Sequence, residues 1–351
     1  MSTREQEALE LIERVRARPP RFRDAQITMA HGAGGKATST LVEGLIAPAF
    51  GLETLADAAA IDGLALTTDS FVVKPLRFPG GSIGELAVNG TVNDLAVAGA
   101  RPLALTLSLV LEEGLPAEDL RAEVDAIAAA AAVAGVRVVG GDTKVVERGR
   151  CDGMYVTTTG LGRLDGRGRL DPAALTPGDK ILVSGRVGEH GVAIMLARGE
   201  FELAAEVCSD TRSLWPAVDA LLESAGPSLR CIRDATRGGV ASVLNELARA
   251  SGVAAVIREA AVPVAAPVVG ACEILGIDPL YVANEGVLLA FVAPEAAEEA
   301  LAALRDVGGC EHAAEIGVVK TEPPGLVLVE TAFGGRRVMD MLVGDPLPRI
   351  C

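Results

Sequence analysis

The stretch LALTTDSFVVKPLRFPGGSIGELAVNGTVNDLAVAGARPLALTLSLVL, residues 64–111, decides the fold. Leu64–Val73 reads as a strand with one polar interruption, at Asp69, and residues 81–100 read as a helix. Residues 102–111 return to an apolar strand. The same alternation continues outward. PAEDLRAEVDAIAAAAAVAG (116–135) is a long alanine-rich helix, VRVVGGDTKVV (136–146) a strand broken by glycines, and MYVTTTGLGRL (154–164) one more strand. After DPAALTPGDK (171–180), whose Pro and Gly content marks a boundary, the pattern restarts with ILVSGRVG (181–188) and a helix. CIRDATRGGVASVLNELARAS (231–251) follows, and then the strands GVAAVIRE, GVLLAFVAP and GLVLVET. The expectation is an α/β (α+β) chain. It comprises an N-terminal extension over 1–25, domains over 26–172 and 173–331, and an irregular tail over 332–351.

Composition bounds the chemistry. Half of the 351 residues are apolar, enough for a large core, and the net charge is −15. An acidic chain with 3% aromatics predicts no nucleic-acid partner, which calls for a basic face or a stacking platform. A nucleotide is not excluded, because a cation and a few amides can hold phosphates in an acidic protein. The opening MSTREQEALELIERVRARPPRF is charged throughout, unlike a signal peptide, and no long uncharged apolar run predicts a membrane span. Six scattered cysteines without a C-x-x-C pair predict no zinc site and a reduced, cytoplasmic chain. The five internal ones are expected to pack as small buried hydrophobes.

Five aspartates stand where strands end, each beside glycine or a small polar residue: Asp62, Asp69, Asp94, Asp142 and Asp234. Magnesium (Mg2+) takes oxygen ligands and lets substrate phosphates complete its shell, so carboxylates gathered at strand ends suit it. The alternative for each is a helix cap or a turn. HGAGGKATS (31–39) opens a helix whose amides can cradle phosphate, although it matches neither the P-loop nor the dinucleotide spacing. Lys144 follows Asp142 in one strand. Glu285 precedes an apolar strand, where partial burial raises a carboxyl's pKa and suits it to base work. His190, in GEHG, is carried as a catalytic candidate against the alternative of a loop residue.

In order, the motifs HGAGG, TTDSFVV, NDLAVAGA, GDTKVVERG, DATRGGV, VANEG and the terminal PLPRIC resemble the HypE family of hydrogenase maturation proteins. The resemblance runs from about residue 26 to the end. It implies a two-domain aminoimidazole ribonucleotide synthetase-like (PurM-like) fold. It also implies nucleotide contacts from Gly32, Gly34, Gly35, Lys36, Asn93 and Thr143 alongside the acids. The implied reaction uses ATP to dehydrate a thiocarbamate on the terminal thiol, here Cys351, to a thiocyanate that becomes cyanide on the iron of [NiFe] hydrogenase. The implied partners are the carbamoyltransferase HypF, the HypC–HypD complex and a second copy in a homodimer. Glu285 would then remove a proton and Lys144 orient the phosphorylated intermediate. Two rivals stand beside this reading: a small-molecule ATP-dependent synthetase or kinase of the same fold, and a non-catalytic docking scaffold.

Overall fold

The computed structural model describes residues 21–52, 55–199, 206–344 and 349–351. Two mixed sheets organise them. The first has five strands in the order β1–β2–β7–β5–β6: β1 (Ala59–Ile61), β2 (Leu64–Phe71), β5 (Ala100–Glu112), β6 (Arg137–Val146) and β7 (Met154–Leu164). Between β2 and β5 runs a two-stranded ribbon, β3 (Arg77–Phe78) with β4 (Gly81–Ser82). The second sheet has seven strands, in the order β14–β13–β10–β12–β8–β11–β9. Its members are β8 (Lys180–Val183), β9 (Leu229–Asp234), β10 (Ala254–Arg258), β11 (Leu288–Val292), β12 (Ala314–Lys320), β13 (Val327–Glu330) and β14 (Arg336–Met339).

The strands of the two sheets differ because their surroundings differ. Every residue of β11, LLAFV, is buried. It is an uninterrupted apolar run, as a strand covered on both faces requires. One face packs on the helix Gly239–Ser251, and the other on the helices Trp215–Ser224 and Ala297–Arg305. In the five-stranded sheet β2 alternates instead, with Ala65, Thr67 and Phe71 turned inward and Leu64 and Leu66 outward. Its inner face is covered by the helices Ile83–Val97 and Ala117–Ala134. Its outer face leaves Ile61, Leu64, Leu66 and Leu161 exposed, and Val139 and Val145 are exposed on edge strand β6.

The helix Ile83–Val97 is buried almost all round because it also packs against the second sheet's side of the molecule. Asn93 ties the two sides together. Its amide donates to the carbonyls of Arg212 (3.0 Å) and Glu285 (3.2 Å), and its oxygen accepts from the Leu214 N–H (2.7 Å). A residue expected to contact nucleotide is thus a buried structural clamp whose donors are already engaged.

Two further expectations change. The stretch 332–351 is not an irregular tail throughout, since β14 extends the seven-stranded sheet. Its two prolines, Pro346 and Pro348, lie outside the described residues, as does most of the 1–25 extension. Cys151, Cys231, Cys272 and Cys310 are buried as expected, but Cys208 is exposed. Among the described residues no helix is long and apolar enough to cross a membrane.

Candidate active site

Three carboxylates converge where β9 ends: Asp234 from β9, Asp94 from the helix Ile83–Val97, and Asp57 from the segment before β1. Their oxygens lie within 4.8 Å of one another. Burial first, then the charges of Asp234, Asp57 and Asp69, push the Asp94 carboxyl well above its usual range, against one hydrogen bond from the Thr67 hydroxyl (2.8 Å). Asp234 is pushed up to about 7, by burial and then by Asp57. Asp69 projects from the inner face of β2, and burial raises it too, opposed by the Arg237 guanidinium. Within the described residues the one short cation contact is Arg233 on Asp57 (2.7 Å). Three acids held this close, with Asp69 within reach of their charge, repel one another unless a multivalent cation joins them, and an all-oxygen donor set suits a hard one such as Mg2+.

Glu285 lies in the loop before β11, with its side chain buried. Burial raises its pKa well above the usual range, and the charges of Asp210, Asp69 and Asp234 raise it further, while Arg237 opposes. Asp210 accepts the Glu285 N–H at 3.0 Å and is itself pushed up to about 6, chiefly by burial. A carboxyl raised in this way holds a proton more firmly than an exposed glutamate does.

The chain's own end reaches this place. Ile350 is buried and Cys351 half-buried, packed against a cluster that includes Phe71, Phe78 and Ile194. The Val72 N–H donates to the Cys351 carbonyl oxygen (3.1 Å). Cys351, Arg237, Gly238 and Gly32 share the lining of a cavity of about 130 Å³. Charge at Cys351 is the foremost influence that holds the Arg237 guanidinium protonated, ahead of Asp69, Glu285 and Asp94. Arg237 therefore feels the charge of the terminal residue together with those of Glu285 and the acids.

The glycine loop sits between these parts. Gly34 has φ +72°, and a Cβ there would lie 2.6 Å from the Arg237 carbonyl; one on Gly35 would lie 2.4 Å from the Leu342 carbonyl. Only glycine permits that approach. The loop's amides are partly engaged: Gly34 N–H with Thr38 (3.0 Å) and Lys36 N–H with Leu342 (3.0 Å). The Lys36 ammonium pairs with Asp340 at the surface, and Arg237 donates to the Gly32 carbonyl (2.9 Å). A second cavity, of about 720 Å³, opens between this loop and the helix Gly239–Ser251, with Asp57 and Arg233 on its wall.

The remaining sequence candidates lie elsewhere. Asp62, at φ 50°, turns the β1–β2 hairpin with Gly63 and stands apart from the acids. Asp142, Thr143 and Lys144 are exposed on edge strand β6, where Lys144 pairs with Asp142 (2.5 Å) and the Thr143 N–H donates to the same carboxylate (2.8 Å). Register runs Asp142↔Ser108, Ser108↔Thr157 and Ser70↔Thr157, so Asp142 is three strand spacings, roughly 14 Å, from Asp69's end of β2. One chain does not place Asp142 and Asp69 on a common ion. His190 is no loop residue: it is fully buried in the helix Glu189–Ala197 and joined to the terminus through Ile350.

Residues 55–164 match the AIR synthase related protein N-terminal domain, and residues 176–329 match the corresponding C-terminal domain. The carbamoyl dehydratase HypE of Rhodobacter capsulatus is 48% identical over 339 residues, which cover 94% of this chain and 99% of that protein. The chain belongs to the HypE family. Two HypE crystal structures superpose on it. One, of a HypE–HypF complex, has 43% identity and a TM-score of 0.83 over 86% of this chain and 99% of that one. The other, of HypE with ATP, has 45% identity and a TM-score of 0.79 over 93% and 100%. The HypE fold brings in three residues that the sequence did not single out. Asp57 sits in LADAAA with no glycine or small polar neighbour, and its signal is an isolated acid in an alanine run. Arg237 was legible as the one charge inside ATRGG. Asp210 carried no local signal.

Proposed function

We propose that the chain is an ATP-dependent carbamoyl dehydratase whose substrate is its own end: Cys351 bears an S-carboxamide, which is converted to a thiocyanate for the cyanide ligand of [NiFe] hydrogenase. The observation that carries this is the seating of Cys351 in one cavity with Arg237, whose guanidinium also feels the charges of Glu285, Asp69 and Asp94. The HypE–HypF complex supports HypF as the donor of the carbamoyl group, and the HypE–ATP complex supports ATP as the activating substrate.

The balance is simple. The amide oxygen of the thiocarbamate takes the γ-phosphoryl group of ATP and leaves as phosphate, while the nitrogen gives up two protons, so thiocarbamate and ATP become thiocyanate, ADP and phosphate. Glu285, made more basic by burial, accepts a proton in its ionised form. Arg237 offsets the negative charge that builds at the activated oxygen. Asp57, Asp94 and Asp234, with Asp69, would hold Mg2+, which neutralises the triphosphate. The 720 Å³ cavity beside Asp57 is within the usual range for a nucleotide-sized ligand.

Asp142 and Lys144 join this scheme only through a second copy, since they occupy the exposed strand at the edge of the first sheet. The apolar outer face of that sheet supports a homodimer. The HypC–HypD complex is the proposed acceptor of the nitrile. The domain limits 26–172 and 173–331 are kept, with the strand β14 added to the second, and the tail proper beginning near Met341. Glu285→Gln tests the reading: the carbamoylated chain should accumulate and form no thiocyanate. Normal nitrile formation by that variant would remove Glu285 from the role of base.

A further inference from the structure

Two N–H bonds of the substrate break in each dehydration, and the scheme above supplies one base, Glu285. A carboxylate holds one proton, so Glu285 must be emptied between the two cleavages. Water entering through the substrate's own cavity would empty it, but would also hydrolyse a phosphorylated intermediate. The structure offers another way out. Asp210 is the foremost charge acting on Glu285, and its Oδ1 accepts the Glu285 N–H (3.0 Å). Its other oxygen, Oδ2, reaches no solvent and has no hydrogen-bond partner among the described residues. Ionised, that oxygen lacks a donor, and protonated it lacks an acceptor, so the fold satisfies neither state.

Burial falls away beyond Asp210. The next charge that acts on it is Glu189, in the first turn of the helix Glu189–Ala197, and that residue is half-buried. Glu189 in turn stands 3.9 Å from the Arg186 guanidinium and feels the exposed His312. Arg212 acts on both acids, and its Nε is anchored on the Gly286 carbonyl (2.9 Å), one residue past Glu285. A fixed cation there stabilises whichever of the two has just lost its proton. Burial raises both carboxyls, Asp210 to about 6, so a proton passes between them without a large step in free energy. On its other side Glu285 faces the charges of Asp69, Asp234 and Arg237. Neither Asp210 nor Glu189 lines the cavity that holds Cys351 or the larger one beside Asp57.

We propose that Asp210 and Glu189 are the proton exit of the active site, positioning residues that act through Glu285. At each cleavage the N–H electron pair stays on the substrate, and the proton bonds to Glu285. It then passes to Oδ2 of Asp210, on to Glu189 and out to water, leaving all three carboxylates ionised as they began. The phosphate takes one proton back from water as it is released, so each dehydration yields one net proton. This exit rests on the dehydratase reading, and its test separates the two.

The test uses the full-length chain with HypF, carbamoyl phosphate and ATP in dilute buffer. Intact mass follows the conversion of the carbamoyl adduct to thiocyanate. Glu189→Gln and Asp210→Asn should each slow that conversion at least about tenfold, a modest share of what positioned proton transfer contributes. Both variants should still be carbamoylated. Imidazole carries protons near neutral pH, so raising its concentration should restore the Glu189→Gln chain, whose gap opens to solvent. It should leave Asp210→Asn slow, since Oδ2 lies out of solvent's reach. A merely structural defect at Glu189 would not respond to imidazole. Glu189 is half-exposed, so its variant decides the matter even where Asp210→Asn fails to fold. A Glu189→Gln chain that works at the unsubstituted rate, or a slow one that imidazole does not speed, would overturn the exit. An unsubstituted chain that is carbamoylated and never forms thiocyanate would instead contradict the dehydratase reading, and the exit with it.

Discussion

The Glu285 amide donates to Asp210 Oδ1 at 3.0 Å, and the next residue, Gly286, lies so close that a Cβ on it would stand 1.9 Å from the Asp210 carbonyl oxygen. Glu285 and a second buried acid are therefore clasped by backbone, and no side chain can be interposed. Gly286→Ala must push the two segments apart. The expected cost is about 3 kcal/mol or more, as for other forced overpacking in a core. Urea unfolding reads the stability, and the ATP turnover of the surviving folded fraction should drop with it. An unchanged midpoint would mean that the clasp is loose.

Asp94→Asn should move stability and binding in opposite directions. The folded-state pKa of Asp94 is raised, so its ionised form is a cost that grows as pH rises above the ordinary aspartate range. Removing that charge should raise the melting temperature of the metal-free chain at pH 7. The same change withdraws a ligand, so the added stabilisation by magnesium and ATP seen for the unsubstituted chain should shrink. Equal stabilisation in both chains would take Asp94 out of the cation site.

His190 gives a pH signature. Burial lowers its pKa to about 4, against 6.5 when unfolded. Between these values the unfolded state binds the extra proton, so His190 contributes stability above pH 6.5 that is lost as pH falls towards 4. The full loss is roughly 3 kcal/mol at 1.4 kcal/mol per unit. Unfolding free energies of the unsubstituted and His190→Gln chains, measured from pH 7.5 to 4.5, should converge as pH falls. A constant difference would show that His190 is not buried neutral.

Much of this was legible because local chemistry carried it. Leu64–Phe71 alternates, Ala117–Ala134 is an alanine-rich helix, and Leu288–Val292 is an apolar run, so strand and helix placement followed from residue pattern. Asp94, Asp69 and Asp234 stood out as acids among residues that pack. What the pattern could not carry was register. Asp142 looked equivalent to these three, and only the order β2–β7–β5–β6 removes it from their side. Asp62 looked equivalent too, and only its φ of 50° reveals a turn. Asp57 and Asp210 gain their meaning from partners distant in sequence, Asp234 and Glu285, which no window along the chain contains.

The exposed apolar side chains of the first sheet predict self-association. Val145 is 68% exposed on edge strand β6, where a lone valine would gain from cover. Val145→Asp should shift the chain towards monomer in light scattering at micromolar concentration and lower ATP turnover in parallel. If the unsubstituted chain is monomeric, that edge has some other use.

The central claim is that Cys351 is the carrier on which the dehydration occurs. Intact-mass spectrometry of the full-length chain, incubated with HypF, carbamoyl phosphate and ATP, reads it directly. The account predicts a carbamoyl adduct that maps to Cys351 and then loses one water in an ATP-dependent step, with neither change in Cys351→Ala. An adduct elsewhere, or a carbamoylated Cys351 that never loses water although ATP is consumed, would contradict it.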